Sequence, residues 1–221
     1  LSKKAREKFK EATKNDGELG ELLLFCFLEG HLEAPKILTK LELKTSNKLY
    51  VNGSDGVHLK KIAEQKYQLI FGESKTYSDL SNAFDNAFKS IGEFVNEINT
   101  KGNGKSGINF EKGLISRHIE SDIFEKDEEE ILYVLLYPEE KGNYKFSLDD
   151  AFSIFIGYEI DIKDEQQKCS NDEFPIEIEG KIVNQIETYK GNVYKLIQKY
   201  GLMGYTFYVF IMPFTNIDEN R

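Results

Sequence analysis

Tyr67-Gln68-Leu69-Ile70-Phe71-Gly72-Glu73-Ser74-Lys75 is the stretch that decides how this chain folds and where its chemistry lies. Its aromatic and branched residues read as a β-strand, in which successive side chains point to opposite faces. Positions 67, 69, 71, 73 and 75 then share one face, three apolar side chains followed by a carboxylate and an ammonium. Before this strand stands Asp55, inside the turn signal Gly53-Ser54-Asp55-Gly56, which opens another strand-like run at 57–62. Two acids and a lysine are thus expected at one sheet edge.

Working outward, residues 2–14 carry Ala5, Phe9 and Ala12 among many charges, the pattern of a short surface helix. Asn15-Asp16-Gly17 breaks it, and Asp16 is a suitable N-cap for the next segment. That segment, 18–32, is apolar nearly all round, which predicts a buried helix. Residues 37–43 and 48–51 alternate like strands. After 67–75, Ser78 is the expected cap of a long amphipathic helix with Leu80, Ala83, Phe84, Ala87, Phe88, Ile91, Phe94, Val95 and Ile98 on one stripe. Residues 100–107 form a Gly-rich loop. The segment 101–150 reads as an insertion, with an acidic run at 125–130 that favours a helix start before the apolar run 131–136. A long buried strand is expected at 151–162, a polar loop at 163–175 closed by Pro175, a second amphipathic helix at 181–200, and an aromatic strand at 205–214. This order indicates an α/β (α+β) domain around a mixed central sheet flanked by helices.

Composition narrows the classes. At 221 residues the chain fits a single domain, 1–221, and its 40% hydrophobic content supplies a sizeable core. No apolar run is long enough to span a bilayer, so no membrane partner is expected. The apolar run 22–28 lacks the flanks of a signal peptide. Cys26 and Cys169 show no disulfide framework, which suits a reducing, cytoplasmic setting. Asn52-Gly53-Ser54 fits a glycosylation sequon without other signs of secretion. A chain beginning at Leu1 reads as a fragment of a longer protein. The net charge of −9 disfavours a stand-alone DNA binder, because phosphate neutralisation drives that affinity, and points to a subunit of a larger machine.

Asp55, Glu73 and Lys75 are the residues that phosphodiester hydrolysis by a metal-dependent nuclease requires. Mg2+, with Mn2+ as the alternative, takes hard oxygen ligands and retains waters to activate. Asp55 and Glu73 would supply carboxylates and Ser74 its main-chain carbonyl. Lys75 would orient or deprotonate the water, or stabilise developing negative charge. Glu21 is the candidate fourth member, since an unpaired carboxylate inside an apolar helix costs on the order of several kcal/mol. Glu18, one turn earlier, shares roughly its face, and Glu21 is favoured. His58 falls on the other strand face, a core or supporting position. Gly104-Lys105-Ser106 imitates a phosphate-binding loop without its first glycine or preceding strand. His31, His58 and His118 show no zinc spacing with the cysteines.

On these residues the chain resembles the PD-(D/E)xK nuclease superfamily, whose core runs helix, three strands, helix, strand. Asp55 matches its first acid, Glu73 and Lys75 its acid-x-lysine pair, and Glu21 the glutamate of its first helix. A proline often found before the first acid is missing. A closer resemblance is to the HamA family of the Hachiman anti-phage defence system. It is carried by Gly17-Glu18-Leu19-Gly20-Glu21-Leu22-Leu23-Leu24-Phe25, Ala34-Pro35-Lys36-Ile37-Leu38, Lys44-Thr45-Ser46-Asn47, Gly53-Ser54-Asp55-Gly56-Val57-His58, Phe71-Gly72-Glu73-Ser74-Lys75 and the strand 205–214. The resemblance implies a DNA-degrading effector held by a helicase subunit, HamB, and released or activated when that helicase senses aberrant DNA. The alternative is a non-catalytic nuclease-fold subunit that binds and regulates the helicase.

Overall fold

The computed structural model describes residues 17–39, 53–98, 107–119 and 147–217. The expected helix at 2–14, the Asp16 cap, the strand at 48–51, the Gly104-Lys105-Ser106 segment and the acidic run at 125–130 lie outside them. In chain order the elements are α1 (Glu18–Gly30), β1 (Lys36–Thr39), β2 (Gly56–Ala63), β3 (Lys66–Tyr77), α2 (Leu80–Val95), α3 (Ile108–Ile119), β4 (Ser147–Glu159), α4 (Lys163–Lys168), α5 (Phe174–Lys199) and β5 (Thr206–Phe214).

The five strands form one mixed sheet in the order β1-β2-β3-β4-β5. β2 runs antiparallel to both β1 and β3, whereas β4 runs parallel to both β3 and β5. A parallel neighbour needs a crossover, and helices on both faces then bury the central strands. Accordingly β3 and β4 each contain an unbroken buried run rather than an alternating one.

Strand parity divides the interior into two cores. Leu69 and Phe71 of β3 pack with Phe152, Ile154 and Ile156 of β4 beneath Phe84, Phe88 and Ile91 of α2, and α3 and α5 close that side. Ile70, Ala151 and Phe155 face the other way and meet Leu24 and Leu28 of α1. Phe27 of α1 stacks on Phe210 of β5 with ring centroids 4.7 Å apart.

Several boundaries differ from the sequence reading. α1 is buried along one stripe only, with Leu19 and Leu22 exposed, so it is a surface helix despite its apolar composition. The cap of α2 is Asp79, whose carboxylate accepts the Asn82 N–H at 2.8 Å, rather than Ser78. Ile98 lies past that helix and is exposed. β4 spans 147–159 rather than 151–162. The expected polar loop contains α4, and α5 begins at Phe174 with Pro175 in its first turn. Proline belongs there because the first helical N–H groups have no partner to lose.

Candidate active site

The turn at residues 53–55 meets the C-terminal half of β3. Pairing of Val57 with Phe71 and His58 with Ile70 carries the preceding turn over the end of β3, and the Asp55 charge there comes within electrostatic reach of Glu73. Like charges brought together in this way repel. The Asp55 N–H donates to the Gly72 carbonyl at 2.8 Å, one residue out of the β2–β3 register. The Ser74 N–H then donates to Asp55 Oδ2 at 2.7 Å, so a carboxylate replaces the next rung of the ladder. N–H and C=O of one extended residue point to the same edge, so the Ser74 carbonyl is directed to the edge that holds Asp55.

Lys75 follows on the same face, its Nζ 2.5 Å from Glu73 Oε1. Burial, then the Asp55 charge, push Glu73 up to about 7, against the opposing pull of Lys75 and a hydrogen bond from Ser90 of α2. Burial works to lower the Lys75 ammonium, yet Glu73 and Asp55 prevail and hold it above its ordinary value. Lys75 is therefore a cation at neutral pH, placed to stabilise negative charge.

A third acid joins this group, and the sequence reading did not include it. Glu111 of α3 is wholly buried, and burial pushes it up to about 7. Its Oε1 accepts the Ser54 N–H at 2.7 Å and its Oε2 the Ser54 hydroxyl at 2.6 Å. The charges of Asp55 and Glu73 raise it further, placing it within electrostatic reach of both. A signal was present: Ile108, Glu111, Lys112 and Ile115 recur at spacings of three, one and three on one helix face, with the outer two apolar. A carboxylate between buried isoleucines needs a polar partner.

The other candidates are placed as follows. Glu21 is half-buried in the first turn of α1. The adjacent Gly20 lies so near Ser74 and Thr76 that a Cβ there would meet the Ser74 hydroxyl, so this turn sits on the β3 face opposite Glu73. His58 is buried on the α1 side, 2.9 Å from the Ala34 carbonyl, as its parity implied, and burial lowers its pKa. The side chain of His118 lies outside the described residues. Beyond the end of β3, a groove of about 750 Å³ is lined by Asp79, Glu159, Glu165, Glu177 and Lys181 among others. Lys181 is engaged by Glu165 at 2.6 Å, leaving an acidic groove that repels a phosphate backbone.

Among the described residues no three His, Cys, Asp or Glu side chains are arranged to cage a metal. Asp55, Glu73 and the Ser74 carbonyl nevertheless offer hard oxygen donors, and Mg2+ characteristically takes one or two carboxylates and keeps several waters. The donor chemistry fits that ion.

A protein-family model described as HamA matches residues 1–221. The chain belongs to the HamA family. Membership makes it a component of the Hachiman defence system, and such a component works with a partner. No curated protein and no solved structure gives a significant match. In this HamA chain, no helix among the described residues is long and apolar enough to cross a membrane. The family match also spans 101–150, the segment in which the sequence showed little pattern and from which α3 contributes Glu111.

Proposed function

We propose that this HamA protein is a divalent-cation-dependent DNA nuclease, the effector of its defence complex, acting under control of a partner helicase. The observation that carries the proposal is the convergence of Asp55 and Glu73 at the end of β3, with Lys75 beside them. Two carboxylates brought together, one of them buried, repel, and one ammonium does not offset both. A divalent cation would.

The element order α1, three antiparallel strands, α2 and a parallel β4 supports a restriction-endonuclease-like core of the PD-(D/E)xK kind. Asp55, Glu73 and the Ser74 carbonyl would hold Mg2+, or Mn2+ in its place. When bound, the ion supplies an activated water and charge neutralisation at the phosphate. Lys75, kept protonated by its neighbours, stabilises the negative charge that develops on the phosphate oxygens. Ser90 donates to Glu73 and fixes its orientation, while the Ser74 N–H does the same for Asp55. Glu21 stays in the proposal as a fourth contributor from α1, to be measured by Glu21→Gln.

The partner resolves the charge problem. A chain of net charge −9 gains little from phosphate contacts, so a helicase that presents DNA would supply the affinity that this surface lacks. The same charge, with the absence of a three-ligand cage among the described residues, favours a second reading: a non-catalytic subunit that binds and regulates the helicase.

The test is Mg2+-dependent cleavage of plasmid DNA by the wild type and by Glu73→Ala, each with and without the helicase. Cleavage lost in the variant supports catalysis at this site. Equal cleavage by both proteins, or none under any condition, removes the catalytic assignment and leaves the regulatory subunit.

A further inference from the structure

Glu111 has no place in the set Asp55, Glu73 and Lys75, yet it is the most enclosed acid of the region, with no exposed surface. Its two carboxylate oxygens are spent on one residue. Oε1 takes the main-chain N–H of Ser54 and Oε2 takes its hydroxyl. That bidentate grip holds the backbone and the side chain of Ser54 together. Ser54 is itself buried, so neither donor has water as a substitute. The next residue is Asp55, tied to β3 by its N–H on Gly72 and its carboxylate under Ser74. The turn is therefore clamped from two directions, by β3 along the sheet and by α3 from above it.

The α3 helix is a firm base for such a clamp. Ile108 and Ile115, one turn to either side of Glu111, are buried in the larger core. Lys112 reaches Asp150 of β4 at 2.7 Å. Gly107, at φ +112°, starts the helix where a Cβ would press against the Phe94 carbonyl at 2.9 Å, so the helix start is locked to the end of α2. A run of fixed contacts thus leads from α2 and β4, through α3 and Glu111, to Ser54 and Asp55.

We propose that Glu111 is a positioning residue that sets where the Asp55 carboxylate stands. What that carboxylate then does rests on the nuclease reading above. Groups that orient a metal ligand from outside typically change cation affinity by about 10- to 100-fold when removed. Glu111 acts one residue away from its target, through the peptide it holds.

The test uses the full chain and three variants, Glu111→Ala, Glu111→Gln and Ser54→Ala, with thermal melting to establish that each is folded. The first readout needs no cation: hydrogen exchange at the Ser74 amide, whose N–H is covered by Asp55. Glu111→Ala is expected to speed that exchange by about tenfold, the worth of one lost hydrogen bond, while the amides of 69–71 stay protected. Glu111→Gln, whose carbonyl still accepts the Ser54 N–H and whose amide can donate in turn to the Ser54 hydroxyl, should restore most of the protection. Ser54→Ala, which keeps only the main-chain bond, should fall between. The second readout is Mn2+ binding by calorimetry without DNA, expected to weaken in the same order.

Unchanged Ser74 exchange in a folded Glu111→Ala protein overturns the positioning role, even where the wild type cleaves DNA. If Glu111→Ala does not fold, Ser54→Ala exchanging like the wild type overturns it equally. A wild type that binds no Mn2+, with Ser74 released by Glu111→Ala, supports the positioning role and removes the nuclease reading instead.

Discussion

Replacing Glu73 by glutamine should stabilise the cation-free protein at pH 8 and leave it nearly unchanged at pH 4. The acid is 8% exposed and pushed from an ordinary 4.5 to about 7 by burial and by Asp55. The sign follows from linkage. Below about pH 4.5 the acid is protonated in folded and unfolded chains alike, and contributes nothing. Between 4.5 and about 7 the unfolded chain ionises first, so it binds fewer protons and stability falls as pH rises. Above 7 the penalty is complete, roughly 3 kcal/mol at about 1.4 kcal/mol for each unit of pKa. Glutamine is isosteric, keeps an acceptor for Ser90 and carries no charge. It also leaves Lys75 without its nearest carboxylate, which offsets part of the gain. A net stabilisation of about 1–2 kcal/mol at pH 8 is expected, a rise of roughly 2–8 °C in unfolding midpoint for a chain of this size. Thermal unfolding of both proteins at pH 4 and pH 8, in chelator, measures it. A variant equally destabilised at both pH values would show that Glu73 is a structural partner of Lys75 rather than a strained acid, and the electrostatic case for a cation would fail. Adding Mg2+ should reverse the order at pH 8, because only the wild type has the charge to hold the ion.

Lys75→Ala should lower cleavage by about 10²- to 10⁴-fold, the range for a group that assists proton transfer or charge stabilisation, with the fold retained; activity within twofold of wild type would remove Lys75 from the chemistry. His58 is buried with its pKa lowered, so the unfolded chain takes up a proton first as pH falls below 6.5 and stability is lost toward acid. His58→Gln should therefore lose less unfolding midpoint than the wild type between pH 7 and pH 5.5, and an identical loss would contradict the buried neutral ring. Gly157→Ala puts a Cβ 2.9 Å from Thr76 Cγ2 and 3.0 Å from Phe214 Cε2. It should destabilise by about 1–3 kcal/mol, as overpacking does, and Thr76→Ala in the same chain should recover part of the loss in denaturant titrations.

Much of the site was legible because strand parity is a local property. Side chains at 69, 71, 73 and 75 fall on one face whatever the rest of the chain does, and Leu69, Phe71 and Glu73 were placed so. His58 followed from the same alternation. Long-range packing was less accessible. The apolar composition of α1 suggested full burial, but a helix against one sheet face buries only the stripe that meets it, here Leu24 and Leu28. Pro175 was read as a terminator when it opens α5, since proline suits either end of a loop.

What the sequence determined by itself is the chemical inventory and its local presentation: Glu73 and Lys75 side by side on a strand, Asp55 in a turn before it, and helices with a clear apolar stripe. These follow from periodicities of two and about 3.6 residues, which operate over a few neighbours. Tertiary structure alone decided that the Asp55 charge falls within reach of Glu73, that the α1 turn beside Glu21 packs on the opposite face of β3, and that Glu111 reaches Ser54 from 57 residues away. Register and helix docking are set by the burial of whole faces against one another, a sum over distant residues that no short stretch of chain contains.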